Sequence, residues 1–140
     1  MRKQYETQAK ELGVDTQVTF AGFLNDETIR DYMIGSDVFV LPSTSSSEGF
    51  GLVLIEAMAC NTPVVTTNVI GSASWLKKEK VATLIPPSDG RALAKAIMKQ
   101  AEHRDNKQVA RAKKFAKSFT RKRMVDDTVK LYLELMFNKK

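Results

Sequence analysis

Residues 42–65, PSTSSSEGFGLVLIEAMACNTPVV, hold the side chains and spacing best suited to chemistry. From Phe50 to Cys60 every residue except Gly51 and Glu56 is apolar. A helix that is apolar all round is normally buried, and a buried glutamate needs a charged or hydrogen-bonding partner. We therefore expect a polar group beside Glu56, which would be a cation, a backbone donor or the hydroxyls of a ligand.

The loop before this helix, residues 48–51, adds a second carboxylate and two glycines. A helix that begins at Gly51 or Leu52 presents unpaired N–H groups and partial positive charge at that end, which suits a phosphate. The glycines let the backbone approach a ligand closely. Because ionised carboxylates accept hydrogen bonds from hydroxyls, Glu48 and Glu56 suit a ligand that also carries hydroxyls. A nucleotide sugar fits both requirements.

Short apolar runs and helical patterns alternate along the first 90 residues and would position this loop. Four runs are β-branched or aromatic and bounded by turn residues, which is typical of buried strands. They cover residues 18–21, 38–41, 64–67 and 82–85, and helical patterns cover 3–13, 26–34, 51–60 and 72–78. The alternation predicts parallel βα units and an open α/β sheet. The loop then leaves the carboxyl end of the strand at 38–41, where open sheets bind ligands.

After Pro86 and Pro87 only helical patterns follow, so residues 88–140 form an all-helical part of one domain that spans residues 1–140. The pattern predicts a cap at Ser88 or Asp89 and further helices over 107–117 and 120–137. The last helix has an apolar stripe at helical spacing, formed by Met124, Thr128, Leu131, Tyr132 and Leu135. We expect these helices to cover the sheet.

Length and composition exclude several classes of protein. The 140 residues, 43% hydrophobic and 27% charged, suit one globular domain and not a disordered or fibrous chain. No apolar run approaches the roughly 18 to 20 residues of a membrane span, and the charged start lacks an apolar signal region, which favours the cytoplasm. Cys60 alone forms neither an internal disulfide nor a zinc site, and no metal-ligand cluster is found. We expect Cys60 to lie at a helix end and His103 to be solvated.

The basic residues are concentrated in the C-terminal third. Residues 91–140 hold 15 basic and 5 acidic residues, whereas residues 1–90 hold 7 and 11. This block is either a solvated helix face or a surface for an anionic membrane or other phosphate-rich partner. Nucleic acid is not expected, because the stretch 104–123 offers only Phe115 and Phe119 for base stacking, at a spacing that suits a core.

The stretch EGFGLVLIEAMACNTPVV resembles the donor-binding signature of GT-B glycosyltransferases of the retaining family 4 type, also called glycosyltransferase group 1. Their pattern is E-G-F-G-L-x-x-x-E-A-M-A-x-G-x-P-V-V, and Glu48 and Glu56 fall on its two glutamates. The match departs at Asn61, where the family usually has glycine, and asparagine is the next best residue for a left-handed helix end. The similarity extends to VTFAGFLNDETI, SDVFVLPS and VATLIPPSD, so that most of residues 8–100 can be placed.

The resemblance implies a role for each matched residue. Glu48, the implied catalytic residue, would accept hydrogen bonds from the donor sugar, and backbone N–H groups of residues 50–52 would bind the sugar and diphosphate. Glu56 would hold the ribose hydroxyls, while Leu24 and Asp26 would flank the nucleobase. The implied donor-binding residues are thus Glu48, Gly49, Phe50, Gly51, Leu52, Glu56, Leu24 and Asp26. Such retaining enzymes need no side-chain nucleophile, no metal and no cofactor beyond the donor substrate, and stabilising the departing diphosphate is their main task.

One position near the signature departs from the family. The family often carries a glutamate in the turn after Gly71 that helps to order the donor loop. Ser74 and Trp75 stand there in this chain.

The GT-B plan also implies what lies outside this sequence. It consists of two Rossmann-like domains, and the chain corresponds to the C-terminal, donor-binding one without its first two strands. Those strands would lie between residues 18–21 and 38–41, unless these two runs pair directly. We expect the chain to be inactive alone and to need an N-terminal domain, which a partner chain could supply.

Two functions follow. The first is transfer of a hexosyl group from a nucleotide-diphosphate sugar to a saccharide, lipid or protein-linked acceptor with retention, in polysaccharide biosynthesis, by a cytoplasmic protein that contacts the inner membrane surface peripherally. The alternative is a non-catalytic module that binds a partner chain or an anionic membrane through its basic C-terminal helices.

Overall fold

The computed structural model describes residues 2–137 and consists of three strands and seven α-helices within that range. In chain order these are α1 (Arg2–Glu11), α2 (Asp26–Gly35), β1 (Phe39–Leu41), α3 (Leu52–Ala59), β2 (Val64–Thr67), α4 (Ala73–Glu79), β3 (Thr83–Ile85), α5 (Gly90–Glu102), α6 (Asn106–Ala116) and α7 (Arg121–Phe137). A short 3-10 turn, Asp15–Gln17, follows α1.

The strands form one parallel sheet in the order β1-β2-β3. Phe39 lies beside Val64, and Val65 lies beside Thr83. Helices connect successive strands, as parallel pairing requires. The predicted α/β fold with a parallel sheet is therefore confirmed.

The strand predicted at residues 18–21 is wrong. Val18 has extended backbone angles, with φ −113° and ψ 124°, but this segment pairs with no strand in the described part of the chain. Direct pairing with β1 is equally absent there, because β1 pairs only with β2. The segment has the residue types of a strand, but a strand also needs a neighbour whose N–H and C=O groups match its own. Val18 is accordingly exposed.

Helices cover both faces of the sheet, and β2 lies at its centre. Adjacent side chains on a strand point to opposite faces, so Val64 and Val65 enter different cores. Val64 belongs to the larger core, with residues of α3, α4 and α6, whereas Val65 packs with Ile85 and with Ala96 of α5. Burying each of these valines contributes about 1.5–3 kcal/mol.

Helix ends follow the sequence signals. The side chains of Asn25, Asp89 and Asp105 cap α2, α5 and α6, each accepting a hydrogen bond from the backbone N–H three residues later. Gly13 ends α1 with φ +67°. Asn61 ends α3 with φ +68°, which confirms the predicted left-handed position.

The C-terminal helices differ in how they pack. α5 and α6 bury Ala96, Val109 and Ala112, and so cover the sheet or α3 as expected. α7 buries no residue, and its apolar side chains, including Leu131 and Tyr132, are about half exposed or more. The expectation that α7 covers the sheet is therefore wrong. Its apolar stripe was correctly placed on one helix, but none of residues 2–120 supplies a surface that buries it.

Candidate functional site

The loop of residues 42–51 leaves the carboxyl end of β1 and enters α3 directly. Two buried threonines of the central strand hold its beginning. The Thr66 hydroxyl donates to the Leu41 carbonyl over 2.9 Å, and the Thr67 hydroxyl donates to the Ser43 carbonyl over 2.7 Å. These bonds give hydrogen-bond partners to carbonyl groups at the end of β1 and just beyond it. The sheet itself thus fixes where the loop starts.

The segment between β2 and α4 holds the other end of the loop. The Ser72 hydroxyl donates to the Phe50 carbonyl over 2.7 Å, and the Gly71 N–H donates to the Glu48 carbonyl over 3.2 Å. A Cβ atom on Gly71 would lie 2.5 Å from the Gly49 carbonyl oxygen, which is closer than any side chain allows. The loop therefore rests directly on the backbone of this segment.

Gly51 turns the chain from this loop into α3. It is buried, has φ +71° and precedes the first helical residue, Leu52. A side chain would be strained at this φ and would crowd Leu54 and Leu41. The first N–H groups of α3 have no partner within the helix, so the helix begins with free donors at the end of the loop.

A second feature lies between α2 and α3, where an open cleft of about 400 Å³ is lined by both helices. It brings together Asp26, at the start of α2, and Glu56, on the second turn of α3. Ile29 and Met33 provide apolar surface between them. In such a cleft the carboxylates can accept hydrogen bonds from hydroxyls, and the apolar wall can cover the face of a ring.

The expectation that Glu56 lies within a helix buried on all sides is wrong. Glu56 is exposed, Leu52 one turn earlier is 66% exposed, and Ala59 continues the same side of α3. These residues follow the i, i+4, i+7 spacing of a single helix face. Because the exposed residue at position 52 is an apolar leucine, composition alone does not show that this face of α3 is exposed. Glu56 consequently needs no buried partner, and the ion pairs of residues 2–137 involve neither Glu56 nor Glu48.

The remaining predicted residues lie around these two features. Glu48 is half-buried and Gly49 exposed, both within the loop. The Phe50 ring packs on Trp75 and Phe119. Leu24 is half-buried, two residues before Asp26. The structure thus brings residues 48–52 together at the start of α3, and Asp26 and Glu56 together in the cleft between α2 and α3, whereas Leu24 does not line that cleft.

Sequence reasoning missed Arg30, which lines the same cleft as Asp26 and Glu56. Its guanidinium also pairs with the Asp31 carboxylate over 3.0 Å. Because Arg30 is four residues after Asp26, helical spacing alone places both on one side of α2, and that signal could have found it.

A second missed feature lies where the strands end. Thr44, Thr67, Ser88 and Asp89 line a smaller cleft of about 210 Å³ at the carboxyl ends of β1, β2 and β3. The helical pattern after Pro86 and Pro87 predicted Ser88 or Asp89 only as a helix cap.

Comparison with known proteins assigns the family. The sequence model of the family described as Glycosyl transferases group 1 matches residues 1–119. The chain belongs to this family. The GT-B resemblance noted from the signature is thereby confirmed at the level of glycosyltransferase group 1.

Relatives of this group 1 chain agree in sequence and in fold. It is 29% identical to O-antigen chain mannosyltransferase C of Escherichia coli, over 99% of this chain and 38% of the relative. Sucrose-phosphate synthase of Thermosynechococcus elongatus superposes with a TM-score of 0.81 at 31% identity, over 96% of this chain and 34% of the synthase. Anabaena HepE, in complex with UDP, superposes with a TM-score of 0.79 at 25% identity, over 94% of this chain and 36% of HepE. The chain therefore spans less than two fifths of each.

The other residues singled out by sequence have ordinary surroundings. Cys60 is half-buried at the end of α3, and His103 is exposed after α5. Phe115 and Phe119 pack against the larger core, as their spacing predicted. Trp75 lies within α4, which confirms the helix predicted over residues 72–78, and the family's turn after Gly71 is followed here by helix.

The basic block is partly engaged with backbone. The Arg104 guanidinium donates to the Asn61 carbonyl, and the Arg111 guanidinium donates to the Lys80 carbonyl. Among residues 2–137 no helix is long and apolar enough to cross a membrane. The same range contains no group of three or more His, Cys, Asp or Glu residues suited to a metal ion.

Proposed function

We propose that this chain is the donor-binding part of a retaining glycosyltransferase that transfers a hexosyl group from a nucleotide-diphosphate sugar. The observation that carries this proposal is the placement of Asp26 and Glu56 in one cleft beside the glycine loop that begins α3. A nucleoside needs an apolar wall and hydroxyl acceptors, and a diphosphate needs backbone donors. The cleft between α2 and α3 supplies the apolar wall and the hydroxyl acceptors, and the loop that begins α3 supplies the backbone donors.

Each residue then has a definite role. Glu56 accepts hydrogen bonds from the ribose hydroxyls, and Leu24 and Asp26 flank the base. The backbone N–H groups of residues 50–52 stabilise the negative charge of the diphosphate as it departs, and Glu48 accepts hydrogen bonds from the sugar. Stabilisation of the leaving group is the main catalytic term in this scheme, and retention follows from attack on the face from which the diphosphate leaves.

The relatives support a donor of this class. HepE was solved with UDP, and the relative from E. coli is named a mannosyltransferase of O-antigen chains. We propose a saccharide, lipid or protein-linked acceptor and a role in polysaccharide biosynthesis. Because the chain spans 36% of HepE, we place acceptor binding and transfer in a complete GT-B protein and expect only donor binding from this chain. An N-terminal domain, in a longer chain or from a partner chain, would supply the rest.

Calorimetric titration of the chain with UDP-, GDP- and ADP-sugars tests the proposal. We expect one nucleotide to bind, and Glu56→Gln to weaken it about tenfold, since a hydrogen bond to a charged group contributes about 1.5–3 kcal/mol. Glu102→Gln is the matched control, because Glu102 is exposed on α5 at the opposite face of the sheet. Binding of no nucleotide sugar, or equal weakening by both variants, would contradict the proposal. The absence of all binding would support a non-catalytic module instead.

Peripheral membrane contact is a second candidate, favoured by the exposure of α7. Its basic start, Arg121–Arg123, precedes an exposed apolar stripe, which is a combination that suits an anionic bilayer surface. Co-sedimentation with vesicles of neutral lipid, with and without phosphatidylglycerol, tests it. We expect binding that needs the anionic lipid and weakens with salt. Equal recovery in the supernatant with both vesicles would refute it.

A further inference from the structure

Four aromatic rings meet beside the loop of residues 42–51, which we call the donor loop. The four residues, Phe50, Trp75, Phe115 and Phe119, are called the aromatic cluster. The Phe50 ring contacts Trp75 edge-on with centroids 5.9 Å apart, and lies 5.4 Å from Phe119. Trp75 and Phe119 in turn lie 5.4 Å apart and both contact Phe115. The separations and tilted geometries are those in which aromatic pairs attract each other.

The cluster joins the loop to three other parts of the fold. Trp75 comes from α4, Phe115 from α6, and Phe119 from the turn before α7. Phe50 is the only member that belongs to the loop of residues 42–51. Its ring therefore joins the loop to α4, through Trp75, and to the turn before α7, through Phe119.

The N-terminal end of α4 also holds the backbone of Phe50 by a hydrogen bond. The Ser72 hydroxyl, at the start of α4, donates to the Phe50 carbonyl over 2.7 Å, while Trp75 packs on its ring. A residue held at both its carbonyl and its side chain has little freedom to rotate its peptide planes. The adjoining N–H groups, from Phe50 to Leu52, are those assigned to the diphosphate.

We propose that Trp75 and Phe119 are positioning residues for the donor loop, holding the Phe50 ring so that the backbone N–H groups of residues 50–52 are preorganised for a diphosphate. The inference rests on the proposed function of that loop. Trp75 is 44% exposed, so its ring is not a central part of the core and its effect is local. Preorganised donors bind more tightly because less ordering is needed on binding.

The cluster offers its own matched control. Phe115 contacts Trp75 and Phe119, whereas the ring contacts of Phe50 are with Trp75 and Phe119. Phe115→Leu therefore loosens the cluster without removing a ring from Phe50. Trp75→Phe is the conservative variant, because it keeps an aromatic edge for Phe50.

The first measurement is amide hydrogen exchange of Leu54 and Gly71, whose N–H groups donate to the carbonyls of Gly51 and Glu48 and therefore report opening of the loop, in the full chain without ligand and with the amides of β2 as internal reference. We expect Trp75→Leu and Phe119→Leu to speed exchange at these two amides about tenfold while β2 is unchanged, because the loop opens locally. Trp75→Phe should restore slow exchange, and Phe115→Leu should stay within about twofold of wild type at the same amides. Phe119→Leu serves as the independent variant if Trp75→Leu fails to melt cooperatively.

The second measurement is donor affinity by calorimetry with the nucleotide sugar that the wild type binds. We expect about five- to tenfold weaker binding for Trp75→Leu and recovery in Trp75→Phe. The inference would be overturned if loop exchange were unchanged in Trp75→Leu and Phe119→Leu. It would also be overturned if the control Phe115→Leu sped loop exchange as much as they do. Because exchange is read without ligand, a wild type that binds no donor would refute the proposed function while the exchange contrast still decides the positioning role.

Discussion

A methyl group on Gly71 should separate the donor loop from the segment that supports it. In Gly71→Ala the new Cβ would lie 2.5 Å from the Gly49 carbonyl oxygen and 3.2 Å from its carbon. Contacts below 3.0 Å do not persist, so the two backbones must move apart by at least about 0.5 Å. Both are main chain, and no side chain can rotate away to relieve the contact.

The cost can be worked from this displacement. Overpacking of this kind costs about 1–3 kcal/mol. The Gly71 N–H to Glu48 carbonyl bond, already 3.2 Å long, would stretch beyond hydrogen-bond range, and such a bond contributes about 0.5–1.5 kcal/mol. The lower entropy of the unfolded alanine chain offsets about 0.4–1 kcal/mol. We expect a net loss of about 1–3 kcal/mol, which lowers the melting temperature by about 4–10 °C.

Thermal melting followed by circular dichroism, together with donor titration, measures both consequences. Gly35→Ala is the control, because a Cβ at Gly35 meets nothing within 4 Å and its φ is not in the left-handed region. It should melt at or slightly above the wild-type temperature. If Gly71→Ala melts with the wild type and binds the donor equally, the close approach of the two backbones does not exist in solution and the reasoning fails.

Three further predictions concern helix ends and the last helix. Asn61→Ala should destabilise the fold by about 1 kcal/mol because of the left-handed backbone, whereas Asn61→Gly should not, and denaturant melts of both variants separate the two outcomes. Asp105→Ala should cost about 1 kcal/mol through loss of the α6 cap, as read from the same melts, and an unchanged midpoint would refute the cap. A chain ending at Thr120 should melt within about 2 °C of the full chain, since α7 buries nothing, and a large drop would show that α7 packs in solution.

The sequence predicted the local structure well where local signals decide it. The cap at Asp89 and the left-handed end at Asn61 depend on a few neighbouring residues, and the structure has them where they were expected. The strands over residues 64–67 and 83–85 were also found, because an apolar run bounded by turn residues is itself the cause of burial.

The failures share a different cause, which is that the decisive neighbour lies far away in sequence. Residues 18–21 have strand composition, yet within the described chain no partner strand lies beside them. α7 has an apolar face that nothing among residues 2–120 covers. Glu56 was expected to be buried because its helix is rich in apolar residues, but which side of α3 faces solvent is set by α2, α6 and the sheet. The sequence pattern shows which residues share one face of a helix, whereas the exposure of that face depends on which other elements pack against it.

The candidate site was found by residue type and not by geometry. Glycines around Phe50 and a carboxylate on the following helix were sufficient to select the loop. The cleft that joins Asp26 to Glu56, and the presence of Arg30 in it, depend on how α2 packs against α3. That packing involves long-range contacts, which no window of the sequence contains.

The position of Trp75 gives the protein an intrinsic optical probe. It is the single tryptophan of the chain, so all indole emission comes from one ring. That ring is partly open to water and touches the Phe50 side chain within the loop. Any ligand that shifts the loop changes the polarity around the indole, and with it the wavelength and intensity of emission. Unlabelled protein at micromolar concentration can therefore be screened against nucleotides in a fluorimeter, with the signal assigned in advance to one residue beside residues 48–52.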